Sequence, residues 1–507
     1  MEIGLQIHVY NSVCQIMPRL AYSLSTEIDA MLSFGIEGAR FSEQYINNQW
    51  DGKKHLFSVA KQAFPTGYLM DVVSYFKVRG MEPEIVDKRQ QPDLSEHPVV
   101  LQGRTPWAHQ LKVFDAIANS SRGLIQVATG GGKTFCIAGA YAYVNQPGIV
   151  LTYRKELMLQ LRKHLQEFLG EPVGIFGGGM WEEGRLTVCM AQSLLKASDV
   201  KYDKLLKEFD EKDKESDKII AERKIDIWNK LIKGTRFVAV DECHHLGANS
   251  SYSLLQNMEN AYWRYGFSAT AHGFREDKKD FFIQAAVGEV IAHVTTSDLV
   301  DAGILVPTDV IMIDFSHKGR HYPKDTYNEY YYKAVVENDE RNKILIQMAY
   351  HIYKYNLPVL MAVQRVDHGK MLELAMQHLV GADKAKFVYG EDHSTYRDET
   401  LTAFKEGRLP ILISTLISEG VDIPNLAHVV AGRGEASRIA TIQLMGRGMR
   451  SFPGKTKAVY VDIMDHHTTW LGRHTHTREA AYGAERAFTK IPVDVKGLQD
   501  FLINYNV

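Results

Sequence analysis

Between residues 100 and 465, short apolar runs recur at intervals, each followed by a longer segment of helical periodicity. The first set comprises GLIQVAT at 123–129, GIVLTY at 148–153, LTVCMA at 186–191 and RFVAVDE at 236–242. A second set comprises LPVLMAV at 357–363, AKFVYG at 385–390, LPILIST at 409–415, AHVVAG at 427–432 and KAVYVD at 457–462. These runs are rich in Val, Ile and Leu and lack polar alternation, the pattern of strands covered on both faces in a parallel sheet. Two successive α/β units are therefore predicted, divided near DAGILVP at 301–307.

About 95 residues precede them, closed by the polar stretch DKRQQPDLSEHP at 87–98. In NNQWDGKK at 47–54, Asp51-Gly52 predicts a hairpin turn, and the segment from Tyr68 onward predicts an amphipathic helix. This stretch reads either as an ordinary small α/β domain or as a substrate-contacting accessory domain using Trp50, Lys53 and Lys54. Residues 200–236 mix charges with spaced Leu, Ile and Trp, which predicts an exposed helical arm. Near the end, Trp470, His474, Arg478 and Tyr482 recur every four residues and line one helix face, read as packing back on the second unit. The expected organisation is an accessory domain at 1–95, a first lobe at 96–305 with the insertion near 200–236, a second lobe at 306–465 and a helical tail at 466–507.

The chain has 507 residues, 45% hydrophobic and 24% charged, as in soluble globular proteins with ample core. It contains no apolar stretch of about 20 residues, and its N-terminus lacks an export signal, so a cytoplasmic location is expected. Cys14, Cys136, Cys189 and Cys243 lie far apart without a CxxC pair, which predicts buried reduced thiols. The histidines at 466, 467, 474 and 476 are not read as a metal site. A net charge of −2 excludes a grip on nucleic acid through overall charge, so any such contact needs a local track of cations and backbone NH groups.

The chemistry starts at ATGGGKT, residues 128–134, between a strand and a helix-capable segment. Such a loop turns several NH groups toward one point, where the helix dipole also favours an anion. Gly130, Gly131 and Gly132 would let the backbone curl close to phosphates that a Cβ would block, and Thr129 is a further nucleotide-binding candidate. Lys133 would neutralise them and Thr134 would hold Mg²⁺. A carboxylate is then needed at the C-terminal end of a neighbouring strand, and RFVAV runs into Asp241 and Glu242. Asp241 would bind Mg²⁺, Glu242 would activate water, and His244 would relay beside the γ-phosphate. In QLMGRGMR at 443–450, the spacing puts Gln443, Arg447 and Arg450 on one helical face. Arg447 and Arg450 then suit the role of arginine fingers.

With these motifs in this order, the chain resembles the superfamily 2 helicases over residues 100–465. The resemblance implies two RecA-like lobes, with ATP and Mg²⁺ as cofactors. It makes Gln110 of TPWAHQ the base-reading residue and Ser268 and Thr270 of GFSATAH the hydroxyls that couple hydrolysis to movement. It also implies nucleic-acid contacts at Thr152 and Arg154 of LTYRKELMLQ, Gly178 of FGGG and Gln192 of MAQSL. In the second lobe it implies further contacts at Gln364, Arg365 and Thr415, and places Gly420 and Asp422 at the nucleotide. The N-terminal segment and the tail resemble the bacteriophage UvsW-type DNA helicases. That likeness implies 3′ to 5′ unwinding and branch migration of forks, D-loops or Holliday junctions in recombination, repair or replication restart. Expected partners are branched DNA with a single-stranded tracking strand and recombination or replication proteins, for a monomer in the host cytoplasm. The rival readings are an RNA helicase or RNA-remodelling ATPase, a translocating subunit of a restriction-type complex, and a nucleotide-gated scaffold without turnover.

Overall fold

The N-terminal residues build a sheet in the order Ala63–Pro65, Val13–Met17, Gln6–Val9, Glu84–Asp87. Its first two pairings are antiparallel and the last is parallel. This computed structural model describes residues 4–36, 38–94, 99–198, 219, 222–223, 225–247, 249–270, 280–316, 326–416, 423 and 425–505. The amphipathic segment forms the helix Leu69–Val78, with Val72, Val73 and Phe76 buried. Asp51-Gly52 is not a two-residue hairpin turn. The strand Lys53–His55 pairs with Ser33–Gly35, far back along the chain. Residues 43–46 preceding it are helical, because Ser42 caps that turn through its side chain and leaves no strand beside Asp51.

Two compact units divide the chain, residues 1–127 with 132–293, and residues 128–131 with 294–507. In the first unit, the described strands of the main sheet run in the order Met180–Glu182, Gly174–Gly177, Leu186–Met190, Gly148–Thr152, Phe237–Asp241, Trp263–Ser268, Arg122–Val127, Val290–Val294. The five from Gly174–Gly177 to Trp263–Ser268 pair in parallel, as does Trp263–Ser268 with Arg122–Val127. The helix Lys133–Val144 is apolar on nearly every face and buried accordingly. Of the 200–236 arm, most lies outside the described residues. Its C-terminal end is not exposed: Ile227, Trp228, Leu231 and Ile232 are buried in the core of this sheet, which is why the spaced apolar residues occur there.

The N-terminal domain and the first lobe share one apolar cluster. Phe64, Tyr68, Val72 and Phe76 pack with Phe282 and Ala285 of the helix Asp280–Val287. Phe34 meets the rings of Phe281 and Phe282 at 5.1 and 5.2 Å. Polar bonds fix the same seam. Tyr68 donates to the Phe281 carbonyl at 3.0 Å, and Gln284 donates to Asp71 at 2.8 Å. The fully buried Arg264 donates to Ser12 Oγ at 2.9 Å and to the Leu255, Met258 and Ala261 carbonyls. Gly67 makes this approach possible, since a Cβ there would lie 1.8 Å from the Gln284 carbonyl oxygen.

In the second unit the described strands run Ala385–Val388, Ile411–Ser414, Val359–Ala362, His428–Ala431, Ala458–Asp465, Thr308–Phe315, Phe488–Asp494, all parallel. The tail is therefore not purely helical. Its Phe488–Asp494 forms the edge strand, anchored by the buried Phe488 and Val493. Pro492 is tolerated there because an edge strand leaves one side of its backbone unpaired. The helix Thr469–Gly483 packs back on this lobe as expected. Arg478 and Tyr482 both bond Asp462, at 2.8 and 2.7 Å. Arg341 and Asp465 form a second, fully buried pair at 2.9 Å.

Candidate active site

The loop 128–131 leaves the strand Arg122–Val127 and enters the helix at Lys133. Gly130 and Gly132 take φ of +92° and +79°, conformations that disfavour a side chain. A Cβ at Gly132 would also lie 2.5 and 2.7 Å from Gln110 Nε2 and Arg104 Nη2, so those side-chain ends would have to shift. Lys133 and Thr134 follow in the first helical turn, where the dipole favours phosphate.

Asp241 ends the strand Phe237–Asp241 and Glu242 follows it; this strand is not the immediate neighbour of the loop's own strand. Trp263–Ser268 lies between them. Its residues Arg264 and Gly266 interrupt the apolar run, so it was not legible as a strand. The register still aligns the three ends, with Asp241 beside Phe267 and Ser268 beside Gln126. Lys133 Nζ reaches Glu242 Oε1 at 3.3 Å. Glu242 Oε2 lies 3.4 Å from His244 Nδ1, and that nitrogen lies 3.0 Å from Ser268 Oγ. The Thr270 NH donates to Ser268 Oγ at 3.2 Å. Lys133, Glu242, His244, Ser268 and Thr270 thus form one chain of polar contacts. Glu242 has φ of +47°, a left-handed conformation costing about 1–3 kcal/mol that persists only where its surroundings enforce it.

The electrostatics separate the two carboxylates. Burial, reinforced by the charge of Glu242, pushes Asp241 well above the usual carboxylate range. Burial acts the same way on Glu242, but Lys133 and His244 outweigh it and hold Glu242 ionised to low pH. A hydroxyl at Thr134 and a carboxylate at Asp241 are hard oxygen donors, the kind Mg²⁺ takes beside nucleotide phosphates. The positive φ of Gly130 and Gly132 gives the loop the glycine-dependent turn by which backbone NH groups approach phosphates. These residues fit a magnesium nucleotide.

Gln110 is fully buried. Its carbonyl accepts from the Trp107 NH at 3.0 Å, capping the helix Ala108–Ala118. It backs the phosphate loop as well as occupying the element expected to read the base. Arg104 escaped sequence reasoning. Its guanidinium stacks on Trp107 at 4.4 Å and Phe135 at 4.5 Å, against the loop. The signal was the arginine ahead of an aromatic in RTPW, six residues before Gln110.

Thr152, Gly178 and Gln192 lie at or just beyond the C-terminal ends of Gly148–Thr152, Gly174–Gly177 and Leu186–Met190. The phosphate loop, Asp241 and Ser268 sit at the same sheet edge but on the other half of the strand order. Arg154 is an exposed N-cap, Gln192 is exposed, Thr152 is buried, and Gly178 turns with φ of +58°. In the N-terminal domain Lys53 is exposed, whereas Trp50 is half-buried and donates its indole NH to the Lys53 carbonyl at 2.7 Å.

In the second lobe, Gln364 turns inward and donates to Glu435 at 3.0 Å, because that carboxylate offers a partly buried acceptor. Glu435 also pairs with Arg433, and Arg433 donates to the Thr415 carbonyl at 3.3 Å. Arg365 is held by Asn328 at 2.7 Å. Gln443 and Arg447 share the helix Arg438–Gly448, but Arg450 does not. The helix ends at Gly448, and Arg450 lies in a bridge with Leu305. Gly420 and Asp422 lie outside the described residues. No group of His, Cys, Asp and Glu that could hold a metal ion occurs among the described residues. No described helix is long and apolar enough to cross a membrane. The four cysteines are buried and free, and burial pushes the Cys14 thiol up to about 11.

Residues 103–273 match the family described as type III restriction enzyme, res subunit, and residues 340–452 match the helicase conserved C-terminal domain. The chain is 22% identical over 500 residues to the ATP-dependent DNA helicase uvsW of Enterobacteria phage T4, covering 92% of this chain and 91% of that protein. It is 32% identical over 257 residues to an inferred helicase (number 22) of Sulfolobus islandicus filamentous virus, covering 48% of this chain. The match spans less than half of that viral protein, 44%. The fold is also similar to Saccharomyces cerevisiae Dbp5 bound to RNA and ADP BeF3, with a TM-score of 0.51 and 15% identity, covering 79% of this chain and 92% of that one.

Proposed function

This chain belongs to the superfamily 2 helicases, nucleic-acid-dependent ATPases with two RecA-like lobes, and we propose that it spends ATP to unwind or branch-migrate branched DNA. One observation carries the choice of DNA. The similarity to a phage protein named as a DNA helicase runs through 92% of this chain, so it extends beyond the two helicase domains. The seam between the N-terminal domain and the first lobe supports the same reading. A domain clamped by Tyr68, Asp71 and Arg264 would hold a junction at a fixed position relative to the hydrolysis site.

In this reading Lys133 and the NH groups of 130–134 bind the phosphates, and Thr134 and Asp241 would hold Mg²⁺. The bound ion supplies charge neutralisation on the phosphates. Glu242, kept ionised by Lys133 and His244, orients the attacking water and accepts its proton. His244 passes the state of Glu242 to the Ser268 hydroxyl and, through it, to the Thr270 backbone NH. Gln443 and Arg447, which share a helix of the second lobe, would stabilise charge on the transferred phosphoryl group. The remaining candidates, Thr152, Arg154, Gly178, Gln192, Arg365 and Thr415, grip the backbone of the tracking strand. That grip is sequence-independent and weakens with salt.

The test is ATPase stimulation by matched single-stranded DNA, duplex DNA, forked DNA, four-way junctions and RNA. Greatest stimulation by forks or junctions is expected. Stimulation by RNA alone would overturn the choice of DNA.

A further inference from the structure

An aromatic cluster in the second lobe lies outside every role assigned above. The short helix Tyr327–Tyr331 is capped by Thr326 and Glu329. It sets Tyr327 and Tyr330 against Trp470, with ring centroids 5.8 and 5.1 Å apart. His474, one turn beyond Trp470, lies 6.0 Å from Tyr327 and is held by the Gly434 carbonyl at 2.8 Å. Tyr330 and Tyr331 are buried, as core packing requires. Tyr327 and Trp470 are each 40% exposed. A lone exposed ring needs no explanation, but here two lie in contact, braced from beneath by buried neighbours.

The same short helix positions a cation. Asn328 Oδ1 accepts from Arg365 Nη2, and the Arg365 guanidinium lies 5.5 and 5.8 Å from the Tyr331 and Tyr332 rings. Arg365 is thereby fixed at the N-cap of the helix Val366–Val380, just past the C-terminal end of the strand Val359–Ala362. Two carboxylates of this region are already engaged. Glu435 binds Gln364 and Arg433, and Asp367 accepts from the Tyr332 hydroxyl at 3.1 Å. A guanidinium fixed by the same short helix that carries the half-exposed Tyr327 ring supplies the pairing that single-stranded nucleic acid needs, a cation for its backbone and a π-face for its base.

We infer that Tyr327 and Trp470 form a stacking platform for one base of the single strand whose phosphate Arg365 holds. The inference rests on reading the chain as a nucleic-acid motor. Stacking is blind to base identity, so the platform grips without selecting sequence. It also gives Trp470 a role distinct from those of Arg478 and Tyr482, which bind Asp462 in the lobe itself.

The test compares the wild-type protein with Tyr327→Ala, Trp470→Leu and Trp470→Phe, using oligo(dT) bearing a single 2-aminopurine. Thermal melting of each variant accompanies it. The Ala and Leu variants should raise the KM for oligo(dT) in the ATPase assay about tenfold, the loss of one stacked base. Their kcat at saturating DNA should stay unchanged, and they should no longer quench the 2-aminopurine. Trp470→Phe should restore both signals. Leucine keeps the apolar bulk, so equal behaviour of the Leu and Phe variants, or a wild-type KM in Tyr327→Ala, would overturn the platform. The wild-type arm reports separately on the motor. Absence of any stimulation by DNA would refute the DNA reading, and the same comparison with poly(U) would then decide the platform.

Discussion

Gly67→Ala is the sharpest perturbation of the seam between the N-terminal domain and the first lobe. The added methyl would sit 1.8 Å from the Gln284 carbonyl oxygen and 3.0 Å from that of Ala285. Both obstacles are backbone within the helix Asp280–Val287, so no side chain can swing aside. Restoring ordinary contact requires the two backbones to part by roughly 1.5 Å. Overpacking of this kind costs about 1–3 kcal/mol. Parting also weakens the Tyr68–Phe281 and Asp71–Gln284 hydrogen bonds, each worth about 1 kcal/mol. The docked arrangement should therefore lose about 3–5 kcal/mol. Hydrogen exchange should show faster exchange at 66–73 and 281–287, with protection of the helix Lys133–Val144 retained. ATPase activity on single-stranded DNA should stay within about twofold while fork unwinding falls at least tenfold, a 1.4 kcal/mol effect. Unchanged protection at both segments would refute the steric reasoning.

Glu242→Gln should bind nucleotide but release phosphate about 10²–10⁴-fold more slowly, the range for a lost general base. A rate within about threefold of wild type would remove Glu242 from that role. Asp465→Asn should destabilise the second lobe by about 3–5 kcal/mol, since it strands the fully buried Arg341. Urea unfolding reads this, and the double variant Arg341→Met, Asp465→Leu should recover much of the loss. His55 bonds Asp29 at 2.8 Å and Asp51 at 3.1 Å. Burial lowers its pKa, but these two carboxylates raise it more, so the net shift is upward from 6.5. Its stabilisation is thus complete below about pH 6.5 and is lost as pH rises through the raised value. Exchange of the 51–55 amides, corrected for intrinsic pH dependence, should quicken over that window. His55→Gln should abolish the trend.

Apolar runs revealed much of both sheets, because parallel strands covered on both faces need continuous Val, Ile and Leu. Where function or docking intruded, the pattern failed. Trp263–Ser268 carries Arg264, whose charge looks wrong for a buried strand until its carbonyl and Ser12 partners are seen. Phe488–Asp494 buries only Phe488 and Val493 and carries a proline, so it resembles a loop more than a strand. The phosphate loop and the Asp241-Glu242 pair were readable because that chemistry demands fixed residue types at fixed spacing. The Gln364–Glu435 bond and the Tyr327–Trp470 pair were not, since each depends on contacts between segments remote in sequence. Arg450 misled because helical spacing was extended past Gly448, where the helix stops.

In the proposed function, ATP turnover at Lys133 drives strand separation in branched DNA. The most direct test is the rate of ATP-dependent unwinding of a fluorescent forked DNA by the wild-type protein and by Lys133→Ala, with the matched RNA fork alongside. Rapid unwinding of the DNA fork by the wild type and none by Lys133→Ala is expected. Unwinding by Lys133→Ala at the wild-type rate, or wild-type unwinding of only the RNA fork, would contradict it.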